Sequence, residues 1–388
     1  MGIFGQFAAT SQFYLYGRKH CTQTGYERAR RAWLKEFGFD ELDKVDLAGR
    51  TFMVTGANSG VGMSVSELNL HALCVSCLTP LPPSTEPPVR PQSHREVSRF
   101  LARKGATVHM VCRSEKRGEE ARRSIAEEAG NERVYLLVCD CSLEADVRRM
   151  YAGFCSAHGT ASAPPRLDGL ICNAGVLLNE KTTTSEGIET TFACHLLVGT
   201  YLLGSLAMGA LEATAGSRVV VVSSGGMYNS KFPVFGVAAG EEGSYNGNLA
   251  YTYAKRGQVL LCERWAEAHP KVKFVSCHPG WTATPAVDAA YGEMKKYLEP
   301  MRTPWEGADA IAWLCTVAPE RLEAGAFYLD RKPQVKHMAG PFFSQGGFTK
   351  NSREEVCRLW RPHQHDAHIA QRSVPSHRTH HMTPRHIN

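Results

Sequence analysis

A tyrosine and a lysine four residues apart have the types and spacing best suited to chemistry in this chain. The run Tyr251-Thr252-Tyr253-Ala254-Lys255 would place the first and last side chains on one face of a helix. Free tyrosine has a pKa of about 10, which makes it a poor acid or base near neutral pH. Because a nearby ammonium group favours the ionised phenol, the spacing predicts that Tyr251 exchanges a proton with a substrate beside the charge of Lys255.

Two serines precede that helix and end a strand-like run. Ser223 and Ser224 follow residues 218–222, whose four consecutive valines are typical of a buried strand. A hydroxyl, a phenol and an ammonium group in one domain can move a proton while a nicotinamide cofactor moves a hydride. We therefore expect redox chemistry at this point.

A glycine-rich segment follows the first predicted strand, residues 51–55. Glycines there let backbone amides approach a pyrophosphate, and the start of the next helix adds its positive end. An ordinary glycine-rich loop is the alternative, but the position after a strand favours a dinucleotide site. The residues predicted to cradle the cofactor are Gly56, Asn58, Ser59, Gly60, Val61 and Gly62.

A basic residue ends the second predicted strand, where an acidic side chain would bind an adenosine ribose. Arg113 occupies this position, and Lys116 and Arg117 follow closely. A guanidinium suits a 2′-phosphate, so NADP(H) is favoured over NAD(H); a plain surface cation is the alternative. Further cofactor contacts are predicted after the third and fourth strands, at Asp140, Cys141, Asn173, Ala174 and Gly175.

The elements that position these residues alternate along the chain. Predicted strands cover residues 51–55, 107–112, 134–139, 169–172, 218–223 and 272–277, and predicted helices cover 116–128, 144–158 and 247–267. Short apolar strands separated by helix-length segments are typical of a parallel sheet covered on both faces. The sequence therefore predicts an α/β fold, a single doubly wound parallel-sheet domain of the Rossmann type.

Three segments lie outside that domain or interrupt it. We expect an N-terminal extension at residues 1–45, the nucleotide-binding domain at 46–335, and a C-terminal extension with a disordered His/Arg-rich tail at 336–388. A proline-rich insert at residues 63–94 separates the glycine turn from the helix expected to follow it. The insert either loops out and leaves cofactor binding intact, pulls the helix start away, or is translated non-coding sequence.

Several motifs together resemble the short-chain dehydrogenase/reductase family over roughly residues 46–330. They are the glycine turn, Asn173-Ala174-Gly175, the strand-terminal serines, the Tyr–Lys pair and His278-Pro279-Gly280. Longer strings are similar to one subgroup of that family, at residues 223–227, 263–266, 278–281 and 330–333. The resemblance implies that Ser224 polarises a substrate oxygen, Tyr251 is the acid or base, and Lys255 binds the nicotinamide ribose. It also implies that the nicotinamide is bordered by Pro279, Gly280 and Thr284.

One position departs from the family pattern. Family members usually carry an asparagine in the helix before the serine strand, where it supports a proton relay. Here His195 or Leu196 occupies that position, depending on where one extra residue is absorbed. Histidine can relay a proton and leucine cannot, and a merely buried histidine is the alternative to a catalytic one.

Composition bounds the remaining expectations. The net charge of +6 comes partly from the chain ends, so we do not expect nucleic-acid binding. Thirteen cysteines without regular spacing indicate reduced thiols and a cytoplasmic location. Cys74 and Cys77 have no second pair, so no metal site is predicted. The apolar run 196–211 is interrupted by glycines and shorter than about 20 residues, which predicts a buried helix and no transmembrane segment.

Two functions remain open. The first is an NADP(H)-dependent oxidoreductase acting on a carbonyl or a secondary alcohol of a small molecule, with Tyr251 as general acid or base. The second is a catalytically impaired NADP(H)-binding scaffold or redox-sensing protein. Self-association is expected by analogy with the family, and peripheral membrane association is left open.

Overall fold

The computed structural model describes residues 3–58, 93–284, 292–338, 346–347 and 349–359. The chain forms two compact units, residues 1–351 and 352–388. In the second unit the described element is the helix Arg353–Leu359. Residues 59–62 of the predicted glycine turn, residues 63–92 of the insert and the tail from residue 360 lie outside the described residues.

An eight-stranded sheet forms the centre of the first unit, in the order β3-β2-β1-β4-β5-β6-β7-β8. Neighbouring strands pair in parallel from β3 to β7 in this order, and β8 pairs antiparallel with β7. The strands are β1 Thr51–Thr55, β2 Thr107–Cys112, β3 Val134–Val138, β4 Gly169–Cys172, β5 Arg218–Val222, β6 Lys273–Cys277, β7 Phe327–Leu329 and β8 Lys332–Gln334. The predicted doubly wound sheet is confirmed, and β1 to β6 begin and end within one residue of the predicted limits.

Helices cover both faces of this sheet. On one face α3 packs against α4 and α9, and on the other α5 and α8 pack against α6. Among the described residues, the helices of the first unit are α1 Ile3–His20, α2 Gln23–Phe37, α3 Ser93–Arg103, α4 Glu115–Ala129, α5 Glu144–His158, α6 Thr190–Ala213, α7 Phe235–Ala238, α8 Gly247–Ala268 and α9 Pro304–Thr316. Because both faces are covered, every residue of β4 and β5 is buried.

The helix α6 is longer than the apolar run suggests. Its 24 residues are long and apolar enough to cross a membrane by length and composition, and 72% of its most apolar window is buried inside the protein. The middle part, Ala193–Leu202, is π-helical.

The N-terminal extension forms the two helices α1 and α2. Phe13 and Tyr16 of α1 are buried in a cluster with Tyr228 and Trp281. The amide of Trp281 donates to the carbonyl oxygen of Cys21 over 2.7 Å. The extension is therefore packed against the segments that follow β5 and β6.

Ion pairs of two buried arginines stabilise the turn between β7 and β8. Asp330 and Arg331 form this turn with positive φ angles of 51° and 64°, a conformation that non-glycine residues rarely adopt. Arg302 makes a bidentate ion pair with Asp330 at 2.6 and 2.8 Å, and Arg331 makes another with Asp309 at 2.8 and 2.6 Å. Ion pairs on both turn residues hold the strained backbone in place.

The structure describes the side chains of ten cysteines, and these ten are unpaired. All of them except Cys155 are buried. Burial raises the pKa of the Cys172 thiol to about 12, and that of the Cys194 thiol equally. These thiols are protonated at neutral pH, as the sequence predicts for reduced cysteines in strands and helices.

Candidate active site

An open cleft lies at the carboxyl ends of β1, β2, β3 and β4, where the strand order reverses. Open α/β sheets bind nucleotides at such a reversal point. The cleft is lined by Gly56, Asn58, Val111, Arg113, Ser114, Arg117, Cys139, Asp140, Cys141, Ser142, Ala174, Gly175, Val176, Thr190 and Cys194. Seven of the predicted cofactor-binding residues therefore share one surface.

The floor of the cleft is built by close contact between two strand ends. The Thr55 hydroxyl accepts hydrogen bonds from the amides of Asn173 and Ala174, both at 2.9 Å. Gly56 has a φ of +67°, and a Cβ on it would lie 2.8 Å from the Cα of Ala174. A larger residue at position 56 would adopt an unfavourable φ angle, and its side chain would clash with Ala174. Glycine is therefore required at this position, where a pyrophosphate would approach.

Basic groups collect at one end of the cleft. The Arg113 side chain is 65% exposed, and its Nη1 lies 3.9 Å from Oδ2 of Asp140. The Ser114 hydroxyl caps α4 by accepting a hydrogen bond from the amide of Arg117 at 3.4 Å. Two guanidinium groups, a hydroxyl and a helix N-terminus in one wall suit a phosphate ester. Sequence reasoning named Arg113 and did not assign a role to Ser114, although a serine before a helical run is a recognisable cap signal.

The helix α8 carries Tyr251 and Lys255 behind this cleft. Both side chains are buried, at 0% and 3% exposure. The Lys255 Nζ donates a hydrogen bond to the carbonyl oxygen of Val222 at 2.8 Å and lies 5.5 Å from the centre of the Tyr251 ring. The Ser223 hydroxyl donates to the carbonyl oxygen of Lys255 at 2.8 Å. The end of β5 and the Tyr–Lys face of α8 are thus joined by two hydrogen bonds.

Ser224 follows directly after these contacts. It is fully buried and starts the 3-10 helix Gly225–Tyr228 by accepting a hydrogen bond from the amide of Gly226 at 3.2 Å. The lining of the cleft includes neither Ser224 nor Tyr251 among the described residues. The candidate chemical groups therefore lie in a low-dielectric interior next to the open cleft.

His195, and not Leu196, contacts the candidate acid. The His195 and Tyr251 rings meet edge to face with their centroids 5.1 Å apart, whereas Leu196 lies in the core against Gly257. The Nε2 of His195 lies 2.7 Å from the carbonyl oxygen of Val176. Desolvation, and then the charge of Lys255, lower the pKa of His195 well below its usual value. A neutral imidazole is favoured, which argues against a relay step in which His195 carries the positive charge.

The residues predicted to border the nicotinamide are supported by Arg302. Gly280 has a φ of +78°, and a Cβ on it would lie 2.2 Å from Nε of Arg302. The Arg302 guanidinium also donates to the carbonyl oxygens of His20 and Cys21 at 2.7 and 3.0 Å. Thr284 is buried at 2% exposure. Sequence reasoning did not find Arg302, because nothing local marks an arginine that will be buried.

Burial ties the charge of Lys255 to the stability of the cofactor-free protein. Desolvation lowers the pKa of Lys255 from 10.5 to about 7, although the neighbouring thiols of Cys194, Cys277 and Cys172 act in the opposite direction. Between these two values the unfolded chain holds a proton that the folded protein has lost. Stability therefore increases with pH through this window.

We expect the free energy of unfolding to rise with pH more steeply in the cofactor-free wild type than in Lys255→Met. One proton of difference corresponds to a slope of up to about 1.4 kcal/mol per pH unit. Urea unfolding between about pH 7 and 8.5 measures this slope, and the range ends where unfolded cysteines begin to ionise. Parallel stability profiles of the two proteins would show that Lys255 is already charged when folded.

Comparison with known proteins agrees with this geometry. A family model described as short chain dehydrogenase matches residues 95–295. Dehydrogenase/reductase SDR family member 12 of Bos taurus is 33% identical over 331 residues, which cover 85% of this chain and 90% of that protein. The Homo sapiens protein of the same name is 33% identical over 324 residues, covering 83% and 88%. The subgroup predicted from the longer sequence strings is confirmed.

The fold is also shared with solved structures. A short-chain dehydrogenase from Escherichia coli CFT073 complexed with NADPH superimposes with a TM-score of 0.51 and 20% sequence identity. The superposition covers 74% of this chain and 98% of that chain. With the matching family model, the two relatives and the strand order that creates the cleft, the chain belongs to the short-chain dehydrogenase/reductase family.

Proposed function

We propose that this protein is an NADP(H)-dependent oxidoreductase that interconverts a carbonyl and a secondary alcohol. The observation that carries the proposal is the hydrogen-bonded contact between the end of β5 and α8. Because the Lys255 Nζ lies 2.8 Å from the carbonyl oxygen of Val222, the helix carrying Tyr251 is fixed to the end of β5, two residues before Ser224. A hydroxyl and a phenol are thereby held at the same end of the sheet as the cleft.

The proposed chemistry assigns one task to each group. The bound nicotinamide would supply or accept the hydride. The Ser224 hydroxyl holds the substrate oxygen and polarises its bond to carbon. Tyr251 donates a proton to that oxygen in reduction and removes one in oxidation, and the charged form of Lys255 favours the resulting phenolate. Since these side chains are buried, their interactions with the reacting oxygen are weakly screened by water.

The preference for NADP(H) rests on the basic end of the cleft. Arg113, Ser114 and Arg117 offer charged and neutral hydrogen-bond donors, and α4 begins among them. A 2′-phosphate carries the charge that such a group of donors binds. The ribose hydroxyl of NAD(H) lacks that charge.

We expect Arg113→Ala to weaken NADPH binding by about tenfold or more and to leave NADH binding nearly unchanged, since hydrogen bonds to charged groups contribute about 1.5–3 kcal/mol. Fluorescence titration with each nucleotide measures the two dissociation constants. Arg123→Ala is the matched control, because Arg123 is an exposed arginine of α4, the helix that follows Arg113, and its side chain is 74% exposed. An equal loss of affinity for NADPH and NADH would mean that Arg113 does not bind the 2′-phosphate.

A second candidate function is supported by the burial of Ser224 and Tyr251. In this alternative the protein binds NADP(H) without turnover and acts as a scaffold or redox sensor. An NADPH titration followed by assays of NADPH consumption with aldehydes, ketones and quinones separates the two candidates. Consumption of NADPH with any of these compounds supports the enzyme. Binding of NADPH without its consumption supports the scaffold.

A further inference from the structure

A buried imidazole that has no hydrogen-bond partner among the described residues lies next to the candidate chemical groups. His278 follows β6 directly, precedes Pro279 and is 1% exposed. Neither of its ring nitrogens has a hydrogen-bond partner within the described part of the chain. Leaving one buried polar group unpaired costs about 1–3 kcal/mol, so such groups in native proteins call for an explanation.

The position of His278 links it to Ser224. A Cβ on Gly225, the residue after Ser224, would lie 2.9 Å from Nε2 of His278 and 2.2 Å from Cζ of Phe13. The imidazole and the Phe13 ring thus lie against Gly225, the residue that follows Ser224 in the chain. A substrate held by Ser224 would have His278 as a neighbour.

The surroundings of His278 are aromatic. The Phe13 ring lies 6.4 Å from the His278 ring, 5.7 Å from Tyr228 and 6.5 Å from Trp281, measured between centroids. The indole nitrogen of Trp281 is also buried without a partner among the described residues. This side of the site therefore combines apolar ring surfaces with unused hydrogen-bonding atoms.

The imidazole is uncharged near neutral pH. Burial, and then the nearby charge of Arg302, lower the pKa of His278 to about 3. A neutral imidazole has one nitrogen that donates and one that accepts, so it can pair with a hydroxyl or with a carbonyl oxygen. It does not attract a carboxylate as a cation would.

We infer that His278 binds a second oxygen of the substrate, a hydroxyl or carbonyl adjacent to the reacting carbonyl, on a molecule whose apolar body packs against Phe13. The inference rests on the proposed function, because it takes Ser224 as the group that holds the reacting oxygen. It names a substrate class, apolar α-hydroxy ketones and α-diketones. His278 acts here as a specificity-determining residue, and the N-terminal helix supplies the wall beside it.

A matched pair of substrates tests the inference. 1-Phenylpropane-1,2-dione carries the second oxygen and 1-phenylpropan-1-one lacks it. The preference for the dione is its kcat/KM divided by the kcat/KM of the monoketone. We expect this preference to be about tenfold lower in His278→Phe than in the wild type, which is the effect of one hydrogen bond. We expect His278→Gln, which retains a donor and an acceptor, to keep part of the preference. NADPH affinity should not change in either variant.

The matched control is His109→Phe. His109 on β2 is also buried, and both of its ring nitrogens lack a hydrogen-bond partner among the described residues. Its ring stacks on Tyr135 and meets Phe154 and His158 edge to face. An equal loss of preference in His109→Phe would show a general effect of replacing a buried histidine and would overturn the inference.

A binding measurement makes the inference independent of turnover. We expect the dione to raise the Tm of the NADP⁺-loaded wild type more than the monoketone does, and this difference to disappear in His278→Phe. If His278→Phe turns over both ketones with the kcat/KM ratio and the Tm difference of the wild type, the inference is overturned. That result would leave the proposed function standing. If neither ketone is turned over but the Tm difference depends on His278, binding is supported and the catalytic proposal fails for these substrates. No dione-specific rise in the wild type would also overturn the inference.

Discussion

Tyr251→Phe is expected to lower kcat by about 10²- to 10⁴-fold, the range over which a positioned general acid or base contributes. The substitution removes one hydroxyl and keeps the ring. The edge-to-face contact with His195 at 5.1 Å and the position of the ring near Lys255 at 5.5 Å can both persist. The protein should therefore stay folded and bind NADPH with nearly unchanged affinity while turnover is lost.

The control for this experiment lies two residues along the same helix. Tyr253 is partly exposed and is not part of the Tyr251–Lys255 face, so Tyr253→Phe should leave kcat close to that of the wild type. Steady-state kinetics and NADPH fluorescence titration together separate the outcomes. Simultaneous loss of turnover and cofactor binding in Tyr251→Phe would indicate structural damage, and unchanged turnover would remove Tyr251 from the mechanism.

Arg302→Met is expected to destabilise the protein by about 3–5 kcal/mol, the usual effect of breaking a buried ion pair by removing one partner. The Arg302 side chain is 0% exposed and that of Asp330 is 9% exposed. Without the guanidinium, the Asp330 carboxylate is left without its bidentate partner. The carbonyl oxygens of His20 and Cys21 also lose a donor.

Urea unfolding followed by circular dichroism measures this loss. Arg123→Met serves as the exposed control, and its effect should stay within about 0.5 kcal/mol, as for most surface substitutions. The double variant Arg302→Met/Asp330→Asn should be more stable than Arg302→Met, because it removes the unpaired charge while asparagine tolerates the positive φ. A single variant as stable as the wild type would contradict the importance of this ion pair.

The parallel part of the fold was predictable because its signals are local. Each of the first six strands is a short run of mainly apolar residues, and a sheet covered on both faces needs such runs wherever its strands lie. Strands β7 and β8 were not predicted. They contain three residues each, and their turn is built from Asp330 and Arg331, which do not resemble the glycine and asparagine of common tight turns.

The candidate site was predictable in part. Glycine at position 56 and arginine at position 113 could be recognised because each follows a predicted strand, and strand ends meet at one edge of a parallel sheet. The choice between His195 and Leu196 required the structure. One additional residue turns every following side chain by about 100° on an α-helix, so only the ring contact between His195 and Tyr251 identifies which side chain lies beside the tyrosine.

The sequence by itself determined the alternation of strands and helices, the position of Gly56 directly after β1 and the i,i+4 spacing of Tyr251 and Lys255, because hydrogen bonding and side-chain periodicity act over a few residues. Only the tertiary structure decided that Arg302 joins the N-terminal helices to Asp330, that the imidazole next to Tyr251 is neutral, and that Phe13 and His278 flank Gly225. These contacts join residues far apart in the chain, and burial together with neighbouring charges lowers the pKa of the buried imidazoles of His195 and His278. Long-range packing and desolvation leave no local pattern in a sequence.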